Sequence, residues 1–158
     1  MSFADYINRS VGTLRNFIPL LLLLKGRGMQ QTHLSIINKE FGNNLQMKET
    51  TLRELNRLNL HTGPKLDFVR TIADMAQKEY SIKVTLDQID SDLNSCFIKH
   101  MSFQRSYLLA EIDSDILVMK ECQLKAFSIS GSSYAKGNLR EQIEKISKQL
   151  KLMIKFFL

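Results

Sequence analysis

The chain lacks the residue patterns that characterise several large classes of protein. It contains two cysteines, two prolines and no tryptophan in 158 residues. Cys96 and Cys122 stand far apart, without a CxxC pair or a histidine at ligand spacing, so we expect neither a zinc site nor a disulfide framework. The apolar run 17–24 is much shorter than the roughly 20 residues of a spanning helix. It continues into Lys25-Gly26-Arg27-Gly28 with no small-residue cleavage site, which favours a cytoplasmic protein.

The charge is basic and unevenly placed. There are 22 basic against 16 acidic residues, a net charge of +6, and the excess lies at the two ends, 1–64 and 138–158. Such an excess favours a polyanionic partner, because bound phosphates release condensed counterions. Many solvated helical surfaces are equally basic, so charge alone does not identify nucleic acid.

Apolar residues recur at helical spacing almost throughout, which predicts an all-α fold. Pro19 is expected to end the first helix and begin a second one. Segment 81–84 alternates like a strand but is too short to form a sheet, and Thr85 and Ser102 are expected helix N-caps. The predicted helices are 3–17, a short one from Pro19, 31–41, 47–58, 66–80, 86–100, 103–127 and 138–158.

This pattern predicts four segments: a helical domain over 1–80, a helical self-association region over 81–128, a linker over 129–137 and a C-terminal helix over 138–158. The last helix has the spacing of a coiled-coil seam. It could pair with itself, dock on its own domain or lie on an anionic membrane; the absence of tryptophan and the acids Glu141 and Glu144 make the membrane surface unlikely. The seam residues are Leu139, Ile143, Ile146, Leu150, Met153 and Phe157.

Catalysis has no support in the sequence. His33, His61 and His100 fall on separate predicted elements, and no glycine-rich phosphate loop, HExxH or Gly-x-Ser-x-Gly motif is present. The acidic groups lack the glycine and the terminal glutamate of a calcium loop. We therefore expect no enzyme, no metal and no cofactor. The acidic groups are Asp87, Asp90 and Asp92, and Glu111, Asp113 and Asp115.

Segment 28–34, Gly-Met-Gln-Gln-Thr-His-Leu, resembles the start of the second helix in helix-turn-helix regulators of the phage-repressor (lambda-repressor-like) type. In this resemblance Gln31 and Leu34 match the family's glutamine and core leucine. Segment 50–55 resembles the recognition helix, and 64–76 resembles the following two elements. The chain departs from the family at Ser35 and Lys39, where alanine and the tight-turn glycine are usual, so the connection between the two helices is longer.

The resemblance implies a helix-turn-helix domain followed by a helical oligomerisation region and a C-terminal heptad helix. The implied function is sequence-specific, transcription-regulating binding of double-stranded DNA by a homo-oligomer of phage or plasmid type. The alternative is a non-enzymatic helical module that binds a protein, such as a toxin-neutralising immunity protein or an adaptor. The expected DNA contacts are Gln31, Lys48, Thr50, Thr51, Arg53, Arg57, Lys25 and Arg27.

Overall fold

The chain divides into two units, Met1–Tyr80 (unit 1) and Ser81–Leu158 (unit 2). The structure is a computed structural model, and it describes residues 3–42, 44–46, 50–96, 99–104, 106–110 and 112–157. The all-α class is confirmed for the cores of both units, whereas a helix-turn-helix layout is not. The elements are α1 Phe3–Leu24, α2 Gln31–Phe41, α3 Leu52–Leu58, α4 Gly63–Asn94, β1 Lys99–Phe103, β2 Ser106–Ala110, α5 Ile112–Ser130 and α6 Asn138–Phe157.

The helix break expected at Pro19 is wrong, because α1 continues through the proline to Leu24. An interior proline removes one backbone hydrogen bond and costs roughly 3 kcal/mol. Phe17 and Leu20, on either side of it, are 3% and 0% exposed and belong to the core of unit 1. Burial of these two side chains offsets the cost of the proline.

The start predicted for the third helix is also wrong. Thr50 and Thr51 precede α3, whose first residue is Leu52, and Met47 and Lys48 lie outside the described residues. Thr51 is the N-cap: its hydroxyl accepts from the Glu54 N–H at 3.4 Å, and its own N–H donates to Glu54 Oε2 at 2.9 Å. This reciprocal capping box satisfies two backbone donors and fixes where the helix begins.

Segment 81–84 is helical, so the separate helices predicted over 66–80 and 86–100 are wrong. A single helix, α4, runs from Gly63 to Asn94. Ile82, Leu86 and Ile89 are 4%, 4% and 0% exposed and follow one another at helical spacing. The strand-like alternation covers only four residues, whereas the buried residues follow a helical period across this segment. No glycine or proline interrupts the helix there.

A β-hairpin replaces the start of the helix predicted over 103–127, and Ser102 is a strand residue rather than a cap. β1 pairs antiparallel with β2, with Met101 opposite Leu108 and Ser102 opposite Tyr107. Gln104 turns the chain with a φ of 53°. Short apolar runs do not distinguish strand from helix by period alone, so the hairpin was missed. α5 starts only at Ile112 and continues to Ser130, into the segment expected as a linker.

The heptad face of α6 packs within unit 2. Ile143 is buried with Ile82 and Leu86 of α4, and Leu150 with Met119 and the Cys122 thiol of α5. Of the three placements left open by the sequence, the structure has α6 docked on its own unit. The remaining segmentation of 81–137 into a self-association region and a linker stays a prediction.

An ion pair joins α4 to α5 in the same unit. Lys125 Nζ lies 2.7 Å from Asp92 Oδ2, and the Asp92 carboxylate also accepts from Gln88 at 2.6 Å. The hydrogen bond from Lys125, followed by that from Gln88, lowers the pKa of Asp92 below its ordinary value of 3.8.

The connection between α1 and α2 lies directly on the backbone of α4. A Cβ atom added at Gly28 would lie 2.1 Å from the carbonyl oxygen of Ala76 and 2.5 Å from its carbonyl carbon. Only glycine allows two backbones to approach this closely. Gly28 therefore holds this connection against the helix.

We predict that Gly28→Ala lowers the free energy of unfolding of unit 1 by roughly 3 kcal/mol, because the backbones must separate to admit the methyl group. Urea unfolding followed by circular dichroism measures the change. Gly12→Ala is the matched control: nothing lies within 4 Å of its added Cβ, and it should leave stability unchanged or raise it by up to about 1 kcal/mol. Equal stability of the two variants would contradict the close contact.

We predict that the Asp92–Lys125 pair stabilises unit 2 fully above pH 3.8 and loses this contribution as the pH falls further. The sign follows from a folded-state pKa that is lower than the unfolded one. Unfolding midpoints from neutral pH downward should therefore show a gap between wild type and Asp92→Asn that closes in acid. Lys125→Met should abolish the same acid-dependent component. A gap that is independent of pH would contradict this role of the pair.

Candidate functional site

A buried histidine joins the start of α2 to α4. Among the described residues, His33 is the polar residue that is buried, and it is 4% exposed. Its Nδ1 accepts from the Gln30 N–H at 3.1 Å, and its Nε2 lies 3.1 Å from Glu79 Oε2. Because Nδ1 accepts, the ring proton is on Nε2, which donates to the carboxylate. We call these two hydrogen bonds the His33 bridge.

The sequence alone does not indicate a role for His33, and two features explain why. At the third helical position a side chain can accept from the N-cap N–H, but glutamate or glutamine usually does so. The other partner, Glu79, lies 46 residues further along the chain. Only the first of these contacts leaves a local signal in the sequence.

Unit 1 also has an apolar groove of about 430 Å³, formed by the end of α1, α2, the segment before α3, and α3. Leu34, Leu45 and Leu55 are 4%, 3% and 2% exposed and belong to the core of unit 1. Apolar side chains dominate the lining, with a few polar groups that include one lysine. The lining residues are Leu21, Leu24, Lys25, Leu34, Leu45, Gln46, Thr50 and Leu55.

Side chains of α2 fix the chain segment that closes the groove. Asn38 accepts from the Leu45 N–H at 2.8 Å and donates to the Leu45 carbonyl at 2.9 Å. Gln31 donates to the same carbonyl at 3.4 Å. The Thr50 hydroxyl donates to the Gln46 carbonyl at 2.6 Å. Leu45 lies in an irregular segment, and side chains of α2 supply the hydrogen-bond partners of its backbone N–H and carbonyl. The Leu45 side chain itself is buried in the core.

The structure brings some of the residues predicted to contact DNA together and separates others. Lys25 and Thr50 line the groove, whereas Arg57 lines a neighbouring cavity. Gln31 and Thr51 bond the protein's own backbone, as described above. Arg53 is exposed on α3, Arg27 is exposed in the connection after α1, and Lys48 lies outside the described residues.

The described residues contain neither a metal-binding group nor a membrane-spanning helix. Within 3–42, 44–46, 50–96, 99–104, 106–110 and 112–157, no three His, Cys, Asp or Glu side chains are grouped to hold a metal ion. In the same part of the chain, no helix has both the length and the apolar character to cross a membrane.

The His33 bridge makes a testable energetic prediction. A double-mutant cycle of His33→Ala and Glu79→Ala should give a coupling energy of about 1 kcal/mol or more, because the hydrogen bond ends on a charged group and one partner is buried. Urea unfolding of the four proteins measures it. The exposed pair Arg70–Asp67, 3.2 Å apart, is the control, and its coupling should be about 0.5 kcal/mol or less. Equal couplings would contradict the bridge.

Comparison with known proteins gives a family that covers the whole described chain. The model of the family described as dynein heavy chain, N-terminal region 2, matches residues 1–157. No solved structure matches.

The curated relatives are axonemal dynein heavy chains. Dynein axonemal heavy chain 3 of Mus musculus is 27% identical over 136 residues, 84% of this chain and 3% of the relative. Dynein axonemal heavy chain 1 of Mus musculus is 23% identical over 148 residues, 92% of this chain and 3% of the relative. Dynein axonemal heavy chain 10 of Homo sapiens is 27% identical over 159 residues, 97% of this chain and 4% of the relative. The chain thus spans a small fraction of their length.

The phage-repressor resemblance is wrong, and with it the DNA-binding regulator, the double-stranded DNA partner and the alternative of an immunity protein. The family match over 1–157 overturns them. The residues that suggested the resemblance have packing roles instead: Gly28 contacts Ala76, Gln31 bonds Leu45, and Thr51 caps α3. Caps, turns and close helix contacts recur in many helical proteins, so they do not identify a DNA-reading domain. The chain belongs to the family of the dynein heavy chain N-terminal region 2.

Proposed function

We propose that this chain is a non-catalytic segment of the N-terminal tail or linker part of an axonemal dynein heavy chain. The observation that carries the proposal is the extent of the family match, which includes both units from residue 1 to residue 157. The segment would contribute to the motor by binding other protein segments of the dynein complex. Its place would be the cytoplasm or the cilium, as the axonemal relatives suggest.

The groove of unit 1 supports a role in protein contact. Leu21 is exposed and Leu24 partly exposed at this groove, with Lys25 and Thr50 beside them. Interfaces between proteins commonly combine an apolar centre with polar groups that fix orientation. A projecting apolar side chain of another segment would displace water from this groove when it binds.

A chimeric heavy chain tests the proposal. The matched segment of mouse dynein axonemal heavy chain 3 is replaced by residues 1–157 of this chain, and both ATP hydrolysis and microtubule gliding are measured. We expect the chimera to hydrolyse ATP and to drive gliding, because the segment supplies the same contacts. A second chimera that carries an unrelated helical bundle of equal length is the control, and it should hydrolyse ATP without gliding.

Two results would contradict the proposal. The first is a chimera that hydrolyses ATP but drives gliding no better than the unrelated bundle, which would remove the assignment to this part of the motor. The second is ATP hydrolysis by the isolated chain, which would remove the non-catalytic role. Retained ATP hydrolysis in both chimeras shows that the rest of the heavy chain has folded.

A further inference from the structure

α1 has a second apolar face besides the one that it buries in unit 1. Five apolar residues on this face follow one another at spacings of four, three, four and three, the a/d pattern of a coiled coil. They are between 36% and 57% exposed. We call this face the α1 seam; its residues are Ile7, Val11, Leu14, Ile18 and Leu21.

The seam residues Ile7, Val11 and Leu14 in the first four turns of α1 are exposed, between 43% and 57%. Every described side chain before Phe17 is exposed. Isolated helices of this length are marginal in water, and most helices in proteins are stabilised by packing of an amphipathic face. The seam is that face here, so a partner on the seam would supply the missing stabilisation.

The α1 seam continues into the groove, because Leu21 belongs to both. From Ile7 to Leu21 the seam is about 20 Å long at 1.5 Å per residue. A stripe this narrow matches the contact face of a single helix, whereas a helix that lies on a membrane needs a broader apolar face. The absence of tryptophan from the chain also disfavours a membrane interface.

Charge defines the chemistry of the partner. Residues 7–39 carry five basic residues and no aspartate or glutamate. Arg15, beside the seam, and Lys25, at its end, are exposed and make no ion pair with the residues that the structure describes. A partner with carboxylates beside its apolar stripe would pair with them. The five basic residues are Arg9, Arg15, Lys25, Arg27 and Lys39.

We propose that the α1 seam and the groove dock one amphipathic α-helix of a protein partner, with apolar residues at heptad spacing and acidic residues beside them. The partner helix lies along the seam and inserts an apolar side chain into the groove next to Lys25. This inference names the chemistry of the protein contact proposed above and rests on that function.

The test uses the purified full chain and a fluorescein-labelled peptide of three heptads, with isoleucine and leucine at a and d and glutamate at e and g. Fluorescence anisotropy measures binding. We expect saturable binding that Leu14→Glu weakens about tenfold or more. Asn16→Glu is the matched control, because it adds the same charge on an exposed position of α1 outside the seam and should change affinity by about twofold at most.

The charges are tested separately. Arg15→Gln combined with Lys25→Gln should weaken binding and reduce its dependence on salt, because two attractive pairs are lost. A peptide with lysine in place of every glutamate should bind at least about tenfold more weakly than the acidic one. Circular dichroism should show that all variants keep their helical content, since each altered side chain is exposed.

Several outcomes would overturn the inference: no binding of the acidic peptide, equal binding of the lysine peptide, or equal loss in Leu14→Glu and Asn16→Glu. A doubled mass in light scattering that Leu14→Glu abolishes would assign the seam to a second copy instead. Binding to phosphatidylserine vesicles but not to the peptide would assign it to a membrane. Each of these leaves the gliding result of the chimera unchanged, so failure here is distinguishable from failure of the proposed function.

Discussion

The arrangement of unit 1 depends on how the start of α2 is held against α4. The His33 bridge ties the Gln30 N–H to the Glu79 carboxylate through one neutral ring. Next to it, the backbone of Gly28 lies against that of Ala76, at a distance that excludes any side chain. A buried ring of this kind is stable only when both nitrogens are satisfied. With α2 held in this way, its other side chains can order the segment that closes the groove.

Two helices of this chain carry equally regular heptad faces, and they differ in what covers them. In unit 2, Ile143 and Leu150 of α6 are buried by neighbouring helices of the same unit. In unit 1, Val11 and Leu14 of α1 are 57% and 50% exposed, on a helix that is basic and without acids after its first turn. Periodicity shows that a helix has an apolar face, but not whether its own chain covers that face. This difference separates a core helix from a surface that can bind another protein.

Part of the fold could be predicted from local patterns. The helix over 31–41 was predicted correctly and is α2, and the C-terminal helix begins at Asn138 as expected. Predictions failed where a contact distant in sequence or a single turn residue decides: burial around Pro19 keeps α1 intact, and Gln104 turns the hairpin. Of the candidate site, Lys25 and Thr50 were named in advance, but for a DNA partner. The hydrogen bond from His33 to Glu79 joins residues 46 positions apart and leaves no local pattern, so it could not be predicted.

The position of α2 depends on the neutral tautomer of His33, with the proton on Nε2 and a lone pair on Nδ1. Imidazole ¹⁵N NMR of the uniformly labelled chain at neutral pH tests it most directly. We expect the His33 Nδ1 resonance to be that of an unprotonated nitrogen and the Nε2 resonance to be that of a protonated one. The reverse assignment, or two protonated nitrogens, would contradict the bridge and the position of α2 that depends on it.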